Sequence, residues 1–442
     1  MSEVPDSAQP ERPILWARHR ALTVAEFMRD VERVAAALPD EPHLINLCDQ
    51  RDRFLIAYTA ALMRGQRNVL PPSRALQAVE EARASFPASS RCDDEWMGRL
   101  LETPAARQSQ PAARLSVAGD QIAHISFTSG STGPPKAHLK SWRQLLGSTR
   151  LNASRIRATL RPRYGNARPW IVATVPAQHM YGTEMSVLLP LGADMAVHGG
   201  RPLFPAEVSA ALAEVPQPRV LVTTPVHLRA LVESGQRFPA VGVVVSATAP
   251  LDRALAQAVE HELDTILLEM FGSTETAVIA TRRTAREEHW GLYPGVTLTP
   301  GEGCTSADAS WFAAPTTLQD VIEVVEPGRF VVRGRNVDMI EVAGKRASLA
   351  DLTRRLLTIP GVRDAVAFQP EADRSTVRRV AALVVAPGLT LEEISSQLSR
   401  GIDPAFMPRP LLLVPALPRN ELGKLSREAL VALLAAQLHE RT

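Results

Sequence analysis

Residues 125–137, Ile-Ser-Phe-Thr-Ser-Gly-Ser-Thr-Gly-Pro-Pro-Lys-Ala, concentrate polar chemistry in one short loop. Four hydroxyls (Thr128, Ser129, Ser131, Thr132), two glycines (Gly130, Gly133) and one lysine (Lys136) follow an apolar run. Glycines let main-chain N–H groups approach a phosphate, hydroxyls donate hydrogen bonds to its oxygens, and a lysine supplies charge. The spacing is not that of a Walker A loop, which needs GxxxxGK[ST]. Here Gly130 and Lys136 are six apart and Ala137 follows the lysine. Polar surface loops share this composition, but not the whole TSGSTGxPK string.

That string resembles the phosphate-binding loop of the adenylate-forming superfamily: acyl-CoA synthetases, aryl-acid ligases, peptide-synthetase adenylation domains and luciferases. Further segments follow in the order that family keeps. Ser246-Ala-Thr-Ala-Pro-Leu251 resembles SGxAPL, which lines the adenine and acyl pockets. The resemblance implies an acyl-side role for Ser246 and a nucleotide-side role for Thr248, Ala249 and Pro250. Met270-Phe-Gly-Ser-Thr-Glu275 resembles xYGxTE. It implies that Phe271 stacks on adenine beside Gly272, Thr274 holds the α-phosphate and Glu275 coordinates Mg²⁺. Asp320 lies fifteen residues before Arg335, with Gly328 in the turn, at the spacing of the family's ribose-binding Asp and its GRxxD arginine. Gly334-Arg335, Asp338-Met-Ile and Gly344-Lys-Arg346 resemble the segment that opens the family's small domain, with Val337 where an Asp or Lys pivot is common. Pro418-Arg-Asn-Glu-Leu-Gly-Lys-Leu-Ser-Arg427 resembles PRTxxGKxxR and implies that Lys424 is the catalytic lysine. A lone Gly-Lys before a helix is ordinarily a solvated turn; register with the other motifs gives Lys424 its role. The resemblance spans about residues 122–427.

These segments need elements to hold them. Short β-branched runs at Ile122–Phe127, Trp170–Val175, Val220–Val222, Val241–Val245 and Thr265–Leu268 alternate with helical stretches at Ala206–Glu214 and Asp252–Glu262. Strands alternating with helices predict α/β architecture, with polar loops at the strand ends. Upstream, Thr23-Val-Ala-Glu26 is a capping box opening a helix to about Leu38, and Phe54–Arg64 reads as a helix stopped at Gly65. Residues 1–13 read as a disordered lead-in, and 71–115 carry no clear pattern. Beyond Arg335, strands at Ile340–Val342 and Ala381–Ala386 with helices at Leu349–Leu357, Leu391–Leu398 and Arg427–Gln437 form a small α+β unit. The expected organisation is a large, multi-lobed α/β AMP-binding domain over 1–335 and a small mobile α+β lid over 336–442.

Composition narrows the partner. The chain has 442 residues, enough for two or three domains at about 150 residues each. Lys plus Arg exceed Asp plus Glu by 49 − 47 = +2, so there is no electrostatic case for nucleic acid. Three cysteines, Cys48, Cys92 and Cys304, show neither disulfide nor zinc spacing. No apolar run reaches the ~18–20 residues of a membrane span, and the polar N-terminus has no signal-peptide h-region. A cytoplasmic enzyme acting on small molecules is expected.

The resemblance implies two half-reactions, carboxylate plus ATP giving acyl-AMP and pyrophosphate, then transfer to a pantetheine thiol of coenzyme A or a holo-acyl carrier protein. In the second, the strand at Gly344 lies beside the pantetheine arm. Gln178-His-Met-Tyr-Gly182 falls where peptide-synthetase domains carry an Asp for the substrate α-amine. An imidazole at His179 cannot supply that counter-ion, which disfavours α-amino acids; coenzyme-A ligases of the family commonly have His there, with Tyr181 beside the acid. Met270 replaces the small residue that precedes the aromatic in many fatty-acyl and coumaroyl ligases. Its side chain shortens the acyl pocket. The expected acid is therefore compact and aromatic, of the hydroxybenzoate kind. The alternatives are a medium-chain fatty acyl-CoA or acyl-carrier-protein ligase, and a non-catalytic nucleotide-binding homologue; intact Lys424, Thr274 and Glu275 argue against the last.

Overall fold

The computed structural model describes residues 2–3, 9–102, 115–128, 136–301, 304–335, 339–342, 345–370, 380–399, 402, 404–420 and 423–439. The chain divides into two compact units, Met1–Val296 with Ala309–Ala314, and Thr297–Asp308 with Pro315–Thr442.

The first unit holds two large sheets besides the two-stranded pairing of Ser2–Glu3 with Ser116–Val117. In the smaller, strands run in the order Ser89–Cys92, His43–Asn46, Arg67–Leu70, Ile122–Thr128, Lys136–Ser141; all are parallel except the last, which turns back antiparallel. In the larger, Trp290–Leu292, Ala277–Arg282, Ile266–Ser273, Val243–Ser246, Arg219–Thr223, Trp170–Ala173, Ala196–His198, Pro13–Ala17 and Arg20–Thr23 follow one another. Its centre is parallel and Val-rich, and residues such as Val220, Leu221, Val243, Val244 and Leu267 are wholly buried, as expected for strands covered on both faces. From Trp170–Ala173 the chain first forms the neighbour on one side, Ala196–His198, then crosses to the other, Arg219–Thr223. This reversal makes the loop after Ala173 a topological switch point, where open α/β sheets place ligands.

Helices form where the pattern predicts them. Val24–Ala37 starts at Thr23 with both capping-box bonds in place, and Asp252 caps Arg253–Glu262. Three stretches depart from expectation. Segment 71–115 contains the helices Leu76–Ser85 and Asp94–Glu102 and the edge strand Ser89–Cys92. Part of the lead-in is ordered: Ser2–Glu3 pair with Ser116–Val117, and Arg12 is buried with its guanidinium 3.4 Å from Asp194. A 23-residue helix, Trp142–Tyr164, opens at a Ser141/Gln144 capping box and buries Trp142, Ser148 and Asn152.

In the second unit, the antiparallel strands Asp364–Phe368 and Ala381–Val385, with Leu411–Leu413 alongside, form a sheet covered on both faces. Helices Leu349–Leu357 and Leu391–Ser399 pack Leu352, Leu356 and Ile394 against Ala365, Ala382 and Val384. Helix Arg427–His439 packs Leu430 and Leu434 against Ala381, Leu383 and Leu412 on the alternate face. The packed unit begins at Thr297, earlier than the motif-based boundary at 335/336.

Candidate active site

The phosphate-loop string joins two antiparallel strands. Thr128 pairs with Lys136 at the mouth, so residues 129–135 are the connection of this hairpin. Ser129, Gly130, Ser131, Thr132 and Gly133 lie outside the described residues. Strand alternation puts Lys136, His138 and Lys140 on one face, in register with Thr128, Ser126 and His124. Ile125 turns to the other face, into a small core with Ile45, Val69 and Val79.

That basic face meets the turn carrying Thr274 and Glu275. His138 Nε2 lies 3.6 Å from Glu275 Oε1, and Lys140 Nζ donates to the Glu275 main-chain carbonyl at 2.6 Å. The turn is tightly specified: Ser273 Oγ accepts from the amides of Glu275 and Thr276, and the Ser273 amide donates to Thr276 Oγ1 at 3.1 Å. A bulge falls between Phe271 and Gly272, where a Cβ on Gly272 would run into the Ala277 carbonyl. Thr274 and Glu275 are half-buried at the tip.

Phe271, the proposed adenine platform, packs on Trp290 at 5.3 Å between ring centroids, and the Arg282 guanidinium covers Trp290 at 4.4 Å. Arg282 donates in turn to Glu269, which also accepts from Thr284 Oγ1 at 2.6 Å and from the Leu251 amide at 3.3 Å. Burial pushes the Glu269 carboxyl up, and these partners oppose the shift. One carboxylate thus fixes the 246–251 segment to the strand bearing Met270 and Phe271. Within that segment Thr248 sits at φ +81°, a left-handed backbone unusual for a β-branched residue. Ala249 is half-buried and Pro250 exposed.

The switch-point loop presents His179 as the half-buried N-cap residue of a short helix, Met180–Thr183. Arg51, wholly buried, holds the loop's root by donating to the carbonyls of Ala173 (2.7 Å) and Val175 (2.8 Å); burial pulls its guanidinium down to about 9. Tyr181 spends its hydroxyl on the carbonyls of Thr223 and Val245. Ser246, at the end of the adjacent strand, is fully buried with its Oγ lacking a hydrogen-bond partner. Met270 is 4% exposed and receives the Tyr293 hydroxyl at its sulfur. A Cβ on Gly182 would strike the Pro176 carbonyl. Gly182→Ala is therefore expected to lower Tm by several degrees and raise KM for the acid, measurable by thermal melts beside steady-state kinetics.

In the second unit, the fifteen-residue spacing has a simple cause. Asp320 and Arg335 are direct cross-strand partners in the hairpin Asp320–Glu326/Arg329–Arg335, turned at Gly328. Lys424 is exposed on a turn closed by Asn420, whose side-chain oxygen accepts from the Lys424 amide at 2.9 Å. Arg419 clamps that turn through a bidentate pair with Asp364 (2.7 and 2.8 Å) and a bond to the Gly423 carbonyl at 2.6 Å. Gly344 lies outside the described residues.

His138, Lys140, Glu184, Glu269 and Trp290 were not singled out from sequence. The period-two Lys-Ala-His-Leu-Lys after the loop was a usable signal, as was Glu184, the one charge between Met180 and Ala193.

The carboxyl ends of Ile122–Thr128 in the smaller sheet and Ile266–Ser273 in the larger one meet through His138, Lys140 and the Glu275 turn, the kind of place where α/β enzymes hold their ligands. The chain belongs to the AMP-binding enzyme family, whose sequence model matches residues 69–337. It is 31% identical over 312 residues to a 4-coumarate–CoA ligase of Rhodobacter capsulatus, covering 70% of this chain and 77% of that one. It is 27% identical to a probable 2-succinylbenzoate–CoA ligase of Mycobacterium tuberculosis, covering 72% and 86%. The fold matches o-succinylbenzoate CoA synthetase (MenE) of Bacillus subtilis, solved with its acyl-adenylate OSB-AMP, at TM-score 0.79 and 18% identity over 97% of this chain and 98% of that one. The α/β class with a large first domain and a smaller second one agrees with the sequence expectation. Among the described residues no helix is long and apolar enough to cross a membrane.

Proposed function

We propose that the chain is an AMP-forming acid–thiol ligase. It joins a compact aromatic carboxylate to ATP and passes the acyl group to a pantetheine thiol, with coenzyme A as acceptor. The observation that carries this reading is the bond from Lys140, on the strand that follows the hydroxyl-rich string, to the Glu275 main chain, which supports a phosphate loop and a metal carboxylate serving one site.

In the first step a carboxylate oxygen bonds to the α-phosphorus as the bond to pyrophosphate breaks. The acid is already ionised at neutral pH, so no base is required. The obstacle is anionic repulsion, and the proposed roles follow from it. Lys424 neutralises the carboxylate and α-phosphate together, Thr274 donates to the α-phosphate, and Thr128 to Lys136 hold the departing pyrophosphate. Phe271 and Asp320 hold adenine and ribose, with Arg335 opposite Asp320. Glu275 suits Mg²⁺, which is commonly bound by one carboxylate, phosphate oxygens and water. Its side chain is one-third exposed, and among the described residues no cluster of three or more metal-binding side chains competes. Bound there, the ion supplies charge neutralisation to the phosphates. In the second step the thiol sulfur attacks the acyl carbon and AMP leaves; we place His179 near that path and Gly344 beside the arm. The lid domain is proposed to begin at 336, with Val337 at the place of the family's pivot.

The relatives' names, coumarate and succinylbenzoate, support an aromatic acid, and buried Met270 supports a short one. Pyrophosphate release over a panel of benzoates, cinnamates and C6–C10 fatty acids, with coenzyme A or holo-carrier protein, tests this. Preference for fatty acids, or for carrier protein over coenzyme A, would overturn the corresponding part, and no release with any acid the whole. Met270→Gly is expected to raise relative kcat/KM for cinnamates over benzoates by about tenfold, since a methionine-sized cavity is worth a few kcal/mol at most. An unchanged ratio removes Met270 from the pocket floor.

A further inference from the structure

Two charges are buried where the seam between the sheets passes the phosphate hairpin. Lys140 is 7% exposed and Glu184 2%. Glu184 Oε1 accepts three hydrogen bonds, from Ser148 Oγ (2.9 Å), Asn152 Nδ2 (3.2 Å) and the Val278 amide (3.2 Å). Ser148 and Asn152 are one turn apart on the helix Trp142–Tyr164, and Val278 is the second residue of the strand Ala277–Arg282 that follows the Glu275 turn. Asn152 also accepts from Tyr293, whose hydroxyl touches Met270. Lys140 is drawn by the Glu184 charge, and its Nζ reaches the Glu275 carbonyl at 2.6 Å. Burial pulls the ammonium down and pushes the Glu184 carboxyl up, and each favours the other's charged form.

Buried opposite charges are weak evidence for stability, since apolar residues of like volume commonly replace them without loss. What these two do structurally is more specific. Glu184 grips the root of the strand leaving the Thr274–Glu275 turn, and Lys140 grips the turn's own main chain. Lys140 is four residues past Lys136 on the same strand face, so its bond ties the strand that follows the loop to the Glu275 turn. We infer that Lys140 and Glu184 are positioning residues for adenylation, holding the Glu275 turn in register with the phosphate hairpin. This rests on the reading of Glu275 as the metal carboxylate.

Three variants test it: Lys140→Met, the charge-free double Lys140→Met/Glu184→Gln, and Glu275→Gln as reference. Calorimetry gives the Kd for ATP with Mg²⁺ and with EDTA; pyrophosphate release and thioester formation from synthetic acyl-AMP give the two half-reactions. Lys140→Met alone leaves Glu184 buried without the cation that favours its charge, so its Tm falls, and the double variant recovers it. The Glu184→Gln change removes the charge but retains a carboxamide oxygen to accept from Ser148, Asn152 and the Val278 amide. The double variant is expected to lose about 10–10²-fold in adenylation kcat/KM for MgATP, the scale of an ångström-sized misplacement. Its affinity for MgATP falls towards that for ATP in EDTA, while thioester formation is unchanged. If the double variant regains MgATP affinity and adenylation together with Tm, the pair is packing only and the inference is overturned. If Glu275→Gln itself leaves the Mg²⁺ dependence of ATP binding intact, the metal reading beneath it is overturned instead.

Discussion

Lys424→Ala is expected to lower acyl-AMP formation by at least about 10²–10³-fold while thioester formation from synthetic acyl-AMP proceeds at the wild-type rate. The cation is needed only while two anions are forced together; once acyl-AMP exists, the thiol meets a neutral acyl carbon. Lys424 is exposed, and the turn that carries it is held by the bond from its amide to Asn420 and by the Arg419–Asp364 pair. Lys424→Arg keeps the charge but spreads it over a planar fork in place of a compact ammonium, and should restore only part of the rate. Single-turnover assays of each half-reaction separate these outcomes. Equal loss in both would mean that Lys424 serves a site shared by the two steps.

The sequence exposed most of the elements because its local signals agree with the tertiary demand. The Val-rich central strands, the Thr23 capping box and the Asp252 cap are all set within a few residues of chain. The long helix Trp142–Tyr164 escaped because six arginines and several small polar residues blur its apolar stripe; its buried face uses Ser148, Thr149 and Asn152 as well as Leu145 and Ile156. The edge strand Ser89–Cys92 was unreadable for a related reason, since only Cys92 of its four residues is buried. At the site, each motif named one loop, and what motifs cannot convey is what pins the loop. Glu184 and Lys140 come from segments 44 positions apart, and only the fold brings them to one turn. The Asp320–Arg335 spacing, by contrast, was legible because it is the register of a single hairpin.

Glu275→Gln and Lys136→Ala are expected to injure adenylation in different ways. Lys136, exposed at the mouth of the hairpin, contributes charge to a loop rich in neutral donors. Removing it should raise KM for ATP and cost kcat only in part, because the hydroxyls and main-chain amides remain. Glu275→Gln keeps the shape of the side chain, and the Lys140 bond survives because it is made to the main chain. What is lost is the one anionic oxygen pair at the tip of the turn, so the defect should fall on the metal. A kcat loss of about 10²-fold or more is expected, partly rescued by excess Mg²⁺ if affinity is the cause. His138, 3.6 Å from the carboxylate, loses that partner too, but an imidazole beside a carboxamide does not restore an anion. Neither substitution should reorder the acid panel, since the acid-side residues Met270, Ser246 and Tyr181 are held by separate bonds and strands. Pyrophosphate release measured across ATP, Mg²⁺ and acid concentrations resolves the two. A changed acid preference with intact ATP and Mg²⁺ dependence would move both residues out of the triphosphate site and into the acyl pocket.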